Sequence, residues 1–392
     1  MLLRVAPLLV WLFVQRLLNG SLIMLKKSVA KRLRFFFSPH GQVLDQYVLN
    51  DVKELMSKKN SAHLMLIAGR YEGMDARVEQ EYADLIISVG NFVLLGGDLP
   101  AMLFLEGFIR LIPGVVGNQQ SVENDSFYGP LLDYPEYCLP IVWKEKRVPD
   151  IVRSGNHNAI AQWRLEQSVE RTISGKFCWA RRFQLNATHK KMFLSKIPSH
   201  YVVLMHADVL VGKEKLVGNT SVTSIDIHDI ARSAMTYGIK NVFIVTPLKD
   251  QQAIVARFLE FWQEGDGVTY NNNRHEALSR VRIVSTYDEV ISFISAHDCA
   301  MPLLIATSAS KSLIHNKVIG YEQQWVVWQH QRPVVIMLCT GQGLAPVCFD
   351  KADYHLLPLE GLTEYKHLSV RSAAAIIFDR WLGLCFSADN KK

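Results

Sequence analysis

Glycine-rich turns that directly follow short apolar runs are the features of this chain best suited to chemistry. Gly69 and Gly73 follow Leu64-Met65-Leu66-Ile67-Ala68, and Gly96-Gly97-Asp98 follows Phe92-Val93-Leu94-Leu95. In the other half, Thr340-Gly341-Gln342-Gly343 follows the apolar run 334–338. A backbone without Cβ lets amides approach a ligand closely, as the edge of a nucleotide-like cofactor requires. Neither G-x-G-x-x-G nor G-x-x-x-x-G-K-[ST] occurs, so nicotinamide and ATP readings lack their fingerprints. Metal-ligand spacings and a nucleophile elbow are missing too, and His228-Asp229 reads as a structural pair. Taken singly, Arg110 is a cation at a helix end and Asp125 an N-cap or turn carboxylate.

The elements that must position these turns alternate in type. Residues 35–37 read as a strand leading into a loop at Ser38-Pro39-His40-Gly41, residues 44–56 as a helix, and residues 64–68, 86–90 and 92–95 as strands, with a helix running on to Leu111. From 126 to 198 aromatic and basic residues rise and 160–169 has helical spacing. Strands resume at 201–205, 242–245, 303–306 and 334–338, with a helix over 254–264, and this unit ends near Gly383. The pattern predicts an α/β chain of several domains: 1–125, a small helical domain 126–198, a second α/β domain 199–386 and a disordered tail 387–392. The shared turn placement suggests a weak internal duplication.

Composition narrows the class. The 392 residues are 49% hydrophobic and 20% charged, with a net charge of +6, a modest basic excess compatible with a polyanionic partner. Six scattered cysteines without a C-x-x-C pair favour neither a zinc site nor a disulfide scaffold, so a cytoplasmic protein is expected. The apolar run 5–14 contains Pro7, lacks a small-x-small cleavage site and is shorter than the ~20 residues a membrane helix needs. A core helix is expected there.

Several segments, taken in order, carry a stronger signal. They are Gly69-Arg70-Tyr71-Glu72-Gly73-Met74-Asp75, Ser88-Val89-Gly90-Asn91-Phe92-Val93-Leu94-Leu95-Gly96-Gly97-Asp98-Leu99-Pro100, Arg110-Leu111-Ile112-Pro113-Gly114, Asn124-Asp125-Ser126-Phe127, Leu131-Leu132-Asp133-Tyr134-Pro135 and Ser154-Gly155-Asn156-His157 through Trp163-Arg164-Leu165. Over residues 1–195 the chain resembles the bacterial tRNA (guanine-N1)-methyltransferases of the TrmD type. That resemblance implies a trefoil-knotted α/β domain binding S-adenosyl-L-methionine, a homodimer with its active site at the subunit interface, and the anticodon arm of tRNA as partner. It implies methylation of the guanosine 3′ of the anticodon. Ser38, Pro39, Gly69, Tyr71, Glu72, Ser88, Val89, Gly90, Phe92, Leu94, Gly96, Gly97 and Pro100 fall on its cofactor loops, and Asp133 matches a residue near the cofactor's amino group. Phe92 replaces the usual tyrosine. Neutral guanine has no free lone pair at N1, so a positioned base must take that proton. By the resemblance Asp125 is this base, contributed by the neighbouring subunit, and Arg110 stabilises negative charge developing on O6. Room is left for an assisting Mg2+ ion, for which no ligand set is visible. The basic, aromatic set Arg153, His157, Trp163, Arg164, Arg171, Arg181 and Arg182 is expected to grip RNA.

A second resemblance lies in Asp226-Ile227-His228-Asp229-Ile230-Ala231-Arg232, the turn at 340–343, and Leu357-Pro358-Leu359-Glu360-Gly361 leading to His367-Leu368-Ser369-Val370-Arg371. It is similar to SPOUT-class RNA methyltransferases, which makes Thr340, Gly341, Gly343, Leu359 and Leu368 cofactor candidates. Cys339 and Gln342 depart from that pattern. Arg232 and Arg371 read equally as functional groups or as ties between helices. This unit is either a second methylation site or a module that improves tRNA capture. The first family has a further βα region before Ser38-Pro39, and the sequence is expected to begin at an internal methionine. The competing class is a noncatalytic RNA-binding protein; a membrane-tethered version ranks third.

Overall fold

The computed structural model describes residues 11–14, 32–58, 63–69, 73–117, 122, 124–310 and 317–384. They form two compact units, 1–129 and 130–392. Among the described residues no helix is long and apolar enough to cross a membrane.

In the first unit, strands β1 (Trp11–Val14), β2 (Arg32–Val43), β3 (His63–Ala68) and β4 (Leu85–Ser88) form an all-parallel sheet in the order β1-β3-β2-β4. Helices α1 (Gln46–Lys58), α2 (Ala76–Tyr82) and α3 (Asp98–Ile109) connect or follow them. The strands are apolar on both faces because both are covered. Leu33, Phe35, Leu64, Leu66 and Ile87 face α1 and α3, while Phe36, Met65 and Ile67 lie on the side of Tyr82 from α2. Phe104 of α3 anchors the first side, meeting Phe35 edge-on at 5.4 Å and stacking on Phe108 at 5.5 Å.

Two expectations are corrected here. Trp11–Val14 pairs in register with Met65 to Ala68 as a strand, so the helix read over 5–14 does not extend there; residues 5–10 lie outside the described residues. A short apolar run is compatible with either element, and the edge of β3 selects the strand. Residues 92–95 are not a strand either, since Gly90, at φ +147°, belongs to a turn that carries the chain out of the sheet. Val93 and Leu95 are 84% and 101% exposed.

Close backbone approach shapes this unit at two glycines. A Cβ on Gly41 would stand 2.6 Å from the Ile86 carbonyl carbon, where β2 is irregular between Phe37 and Gln42 beside β4. A Cβ on Gly97 would stand 2.9 Å from Ala68 Cα at the end of β3.

The second unit opens with the hairpin β5 (Val142–Trp143) and β6 (Lys146–Arg147), then helices α4 (His157–Gly175) and α5 (Ala187–Lys196). Its strands are β7 (His200–Met205), β8 (Val209–Val211), β9 (Leu216–Gly218), β10 (Asn241–Val245), β11 (Val281–Val284), β12 (Leu303–Ala306), β13 (Val318–Ile319), β14 (Val334–Cys339) and β15 (Tyr354–Leu356). Seven make a parallel sheet in the order β11-β10-β7-β14-β12-β15-β13, and β8 with β9 forms a separate antiparallel hairpin. Around the sheet pack α6 (Ser224–Thr236), α7 (Lys249–Gln263), α8 (Tyr287–Asp298), α9 (Gln324–Trp328) and α10 (Val370–Leu382). Val169, Ile173, Phe177 and Phe193 of the helical segment share one core with Val202, Leu204, Trp328 and Trp381.

Two polar devices lock that core. The Arg181 guanidinium donates from Nε to the Gly383 carbonyl at 2.5 Å, from Nη1 to Arg380 at 2.8 Å and from Nη2 to Asp379 at 2.7 Å. These carbonyls cluster at the C-terminus of α10, where a cation is favoured. Arg181 is therefore buried and saturated, which corrects its place in the RNA-gripping set. His200 is also buried; its Nδ1 pairs with the Pro198 carbonyl at 2.7 Å, and Nε2 accepts from the indole N–H groups of Trp381 at 3.0 Å and Trp328 at 3.2 Å. The ring must be neutral to accept both.

Two outcomes are expected. Gly41→Ala should destabilise the first unit by about 1–3 kcal/mol in urea unfolding, because its neighbour is backbone and cannot swing away; an unchanged midpoint would contradict this packing. Burial lowers the pKa values of His200 and His206 to about 4 from 6.5. Both are neutral in either state above pH 6.5, whereas between 6.5 and 4 the unfolded chain binds protons that the native chain refuses. Stability should fall with pH through that window, each ring contributing up to ~1.4 kcal/mol per pH unit. His200→Gln should reduce that slope, measured as unfolding free energy against pH.

Candidate functional site

Three loops meet at the C-terminal ends of β2, β3 and β4. The first, around Ser38-Pro39, lies against β4 through Gly41, and the Leu44 amide donates to the Ser88 carbonyl at 2.7 Å. Ser38 Oγ pairs with His40 Nδ1 at 2.7 Å, and His40 Nε2 lies 3.5 Å from Glu79. The second begins at Gly69, whose carbonyl accepts from the Gly97 amide at 2.8 Å and so joins the third. Gly69 and Gly97 are thus brought together, Ser88 is joined to Leu44 just past the first loop, and Pro100 is buried in the first turn of α3. Tyr71 and Glu72 lie outside the described residues. Gly41 was not singled out as a site residue from sequence; its place directly after Ser38-Pro39-His40 is the signal that could have found it.

The third loop is held at its start and open further on. Ser88 Oγ donates to the Gly90 carbonyl at 3.1 Å and accepts from the Gly90 amide at 3.4 Å. Past Gly90, the amides of Phe92 and Leu94 donate to no backbone carbonyl among the described residues. Phe92 and Leu94 are both exposed, and the helix that follows is apolar on its outer side as well, with Leu99, Met102 and Leu103 each more than half exposed. Gly69 and Gly97 put backbone rather than side chain where the second and third loops join.

Arg110 and Asp125 come together. Arg110 caps the C-terminus of α3, and its Nη2 donates to Asp125 Oδ2. Asp125 sits in a turn, its amide donating to Val122 and its carbonyl accepting from Tyr128 at 3.3 Å, and the neighbouring Phe127 is held at φ +71°. Both side chains remain part-exposed, at 47% and 37%, so the pair is open to solvent. A carboxylate and a guanidinium so placed form an acceptor and a donor that can face one planar partner.

Asp133 belongs to the second unit, where its Oδ1 accepts from the Tyr134 amide at 2.7 Å. The segment after it runs back along α4. Leu132 donates to Thr172 Oγ1 at 2.8 Å, Arg171 to the Asp133 carbonyl at 2.9 Å, the Arg164 guanidinium lies 4.3 Å over Tyr134, and Tyr137 meets Trp163 at 6.2 Å. These contacts of Tyr134 and Tyr137 were missed from sequence, because the partners lie 30 and 26 residues away along the chain. Arg182 stays exposed, 5.4 Å over Trp179.

In the second unit, Thr340 Oγ1 lies 2.5 Å from Thr220 Oγ1, which in turn lies 3.1 Å from His206 Nδ1. Gly341, at φ +66°, leaves room for the Leu210 carbonyl, 2.8 Å from where a Cβ would be. That carbonyl accepts from the Gln342 amide at 2.9 Å, and Leu210 donates to Gly343 at 2.8 Å. The turn is therefore shaped by β8 to a large extent. Gly343, at φ +124°, has open space, Leu359 packs on the core and Leu368 is half exposed. Arg371 bridges to Asp226 at 3.2 Å and Asp229 at 3.6 Å, tying α10 to α6, while Thr223 Oγ1 donates to Asp226. Arg232 is exposed. Among the described residues, no three His, Cys, Asp or Glu side chains gather as metal ligands.

Comparison with known proteins gives these loops a context. The family described as tRNA (Guanine-1)-methyltransferase TrmD matches residues 17–182, and one described as SAM-dependent RNA methyltransferase matches residues 199–383. A protein of Oleidesulfovibrio alaskensis named tRNA (guanine-N(1)-)-methyltransferase is 37% identical over 373 residues, covering 94% of this chain and 85% of the relative. One of Nitratidesulfovibrio vulgaris with the same name is 38% identical over 355 residues, covering 89% and 80%. A shorter match, 46% over 138 residues, is to a protein of that name from Neisseria meningitidis. With cofactor-type loops, a paired acid and cation, and similarity across both units, the chain belongs to the tRNA (guanine-N1)-methyltransferase family.

Proposed function

We propose that this chain is an S-adenosylmethionine-dependent tRNA methyltransferase acting on N1 of the guanosine 3′ of the anticodon. The observation that carries the reading is the Arg110–Asp125 pair, which puts a proton acceptor and a cation within reach of one base edge. Gly69 and Gly97 fit the cofactor, because their nearest neighbours are backbone, while Gly90 lies under the Phe92 ring. Backbone groups of Val89, Gly90, Phe92 and Leu94 would hold its adenine. Ser38, Pro39, Tyr71, Glu72, Gly96 and Gly97 would line the ribose and methionine portions, and Asp133 would approach its amino group. When bound, the cofactor supplies an electrophilic methyl group.

The residues divide the remaining work. Asp125 Oδ2 takes the N1 proton, and the Arg110 guanidinium donates to guanine O6 as negative charge develops there. Guanine O6 replaces the Asp125 carboxylate on Arg110, so substrate binding itself frees the base. The apolar outer side of α3 supports a homodimer, since contiguous exposed apolar surface of this kind marks an interaction face. In that dimer Asp125 serves the cofactor loops of the other subunit. Each α/β unit carries the knotted SPOUT backbone, and the second binds its own cofactor through the turns at 340–343 and 357–368.

Transfer of a labelled methyl group to unmodified tRNA tests the first site. Transfer should require guanosine rather than adenosine at the target position. Asp125→Asn should cost about 10²–10⁴-fold in kcat with cofactor affinity retained. Arg110→Ala should cost about 10²–10³-fold. A folded chain that binds tRNA without transfer would favour a noncatalytic binding protein. Cofactor stoichiometry tests the second unit: calorimetry should find two sites per chain, and a single site would make that unit a binding module.

A further inference from the structure

The two-residue turn joining β5 to β6 is built from Lys144 and Glu145, with φ of +46° and +66°. Such turns suit Asn-Gly, so charged side chains stand at this tip against local preference. Trp143 beside them is 58% exposed, and the Lys144 ammonium lies 4.9 Å from its ring centroid, covering one face. The hairpin is firmly based: Val148 donates to the Ile141 carbonyl at 2.9 Å, and a short turn leads to Asn156, whose side chain caps α4. Asp150 is shared by Arg147 at 3.2 Å and Arg153 at 3.7 Å. Lys144 and Lys146 make no ion pair among the described residues.

We infer that this hairpin is an RNA-contacting finger, in which Trp143 stacks on an unpaired base while Lys144 and Lys146 meet its flanking phosphates. The inference rests on the tRNA reading above and adds a contact outside the reacting centre. An exposed indole flanked by Lys-Glu-Lys-Arg is poor material for a protein interface, whose core is depleted of lysine and glutamate. It suits single-stranded RNA, where aromatic faces take bases and ammonium groups take phosphates. Glu145 opposes the phosphates and limits affinity.

The test is binding of a fluorescent anticodon-arm RNA by the full chain across a salt series. Trp143→Ala should weaken binding about tenfold and Trp143→Phe by no more than about threefold. Joint replacement of Lys144 and Lys146 by Ala should lower the log–log salt slope by about 1.5, as two lost phosphate contacts require. Glu145→Gln should tighten binding. Melting temperature, cofactor affinity and oligomeric state should be unchanged in each. Parent-like binding by Trp143→Ala overturns the finger alone, and a changed oligomeric state in that variant makes the hairpin a subunit contact and overturns it too. Failure of the parent chain to bind the arm overturns the tRNA reading and the finger together.

Discussion

Two approaches of backbone to backbone hold the first unit's chemistry in place. At Gly41 the irregular stretch of β2 lies on the Ile86 carbonyl, and at Gly97 the loop before α3 lies on Ala68 and Gly69. Parallel strands end together at one edge, and loops leaving that edge normally diverge over the surface. Here they converge, because no Cβ stands between them and the Gly97 amide bonds the Gly69 carbonyl. Convergence sets where α3 starts, and the length of α3 sets where Arg110 stands. The placement of Arg110, and so of its pair with Asp125, is thus inherited from a steric condition twelve or more residues earlier.

An acid and a cation that neutralise each other in the resting chain have a physical use. An isolated carboxylate at a part-exposed turn would be hydrated, and that shell must be stripped before it can accept a proton from a base. A guanidinium partner keeps the carboxylate desolvated on one side and oriented, while partial exposure of both limits the strength of the pair. Exchange of Arg110 from carboxylate to a carbonyl oxygen conserves one charge-assisted hydrogen bond. In the proposed reaction that swap would cost little in the ground state and gain as the oxygen becomes anionic.

Much of this was legible in the sequence, and the exceptions have physical causes. Strands buried on both faces, such as Leu64–Ala68 and residues 242–245, announce themselves as unbroken apolar runs and were read within a residue or two. The same signal misled at 92–95, where apolar residues are exposed beside a positive-φ glycine, and at Trp11–Val14, where pairing with β3 decides the element. Asp125 and Arg110 carry no local mark of the role proposed for them and stood out only through the order of surrounding motifs. Arg181 looked like its neighbour Arg182, yet one is buried against α10 carbonyls 198 to 202 residues away and the other is exposed. Long-range partners of that kind leave no trace in spacing.

That division of the arginines shows how the second unit can serve RNA binding without softening. Its helical segment and its sheet share one core, pinned by a neutral histidine between two indoles and by a guanidinium saturated with helix-end carbonyls. Neither group is available to a ligand, and both lose their function if they are drawn outward. Arg164 on Tyr134, Arg182 on Trp179 and Lys144 on Trp143 are of the opposite kind: each cation lies over an aromatic face. Cation–π contacts at exposed sites are worth roughly 0.5–1 kcal/mol, which orders the side chain without cancelling its charge. Under the proposed RNA-binding role, a phosphate or a base would replace or join such a contact at little cost.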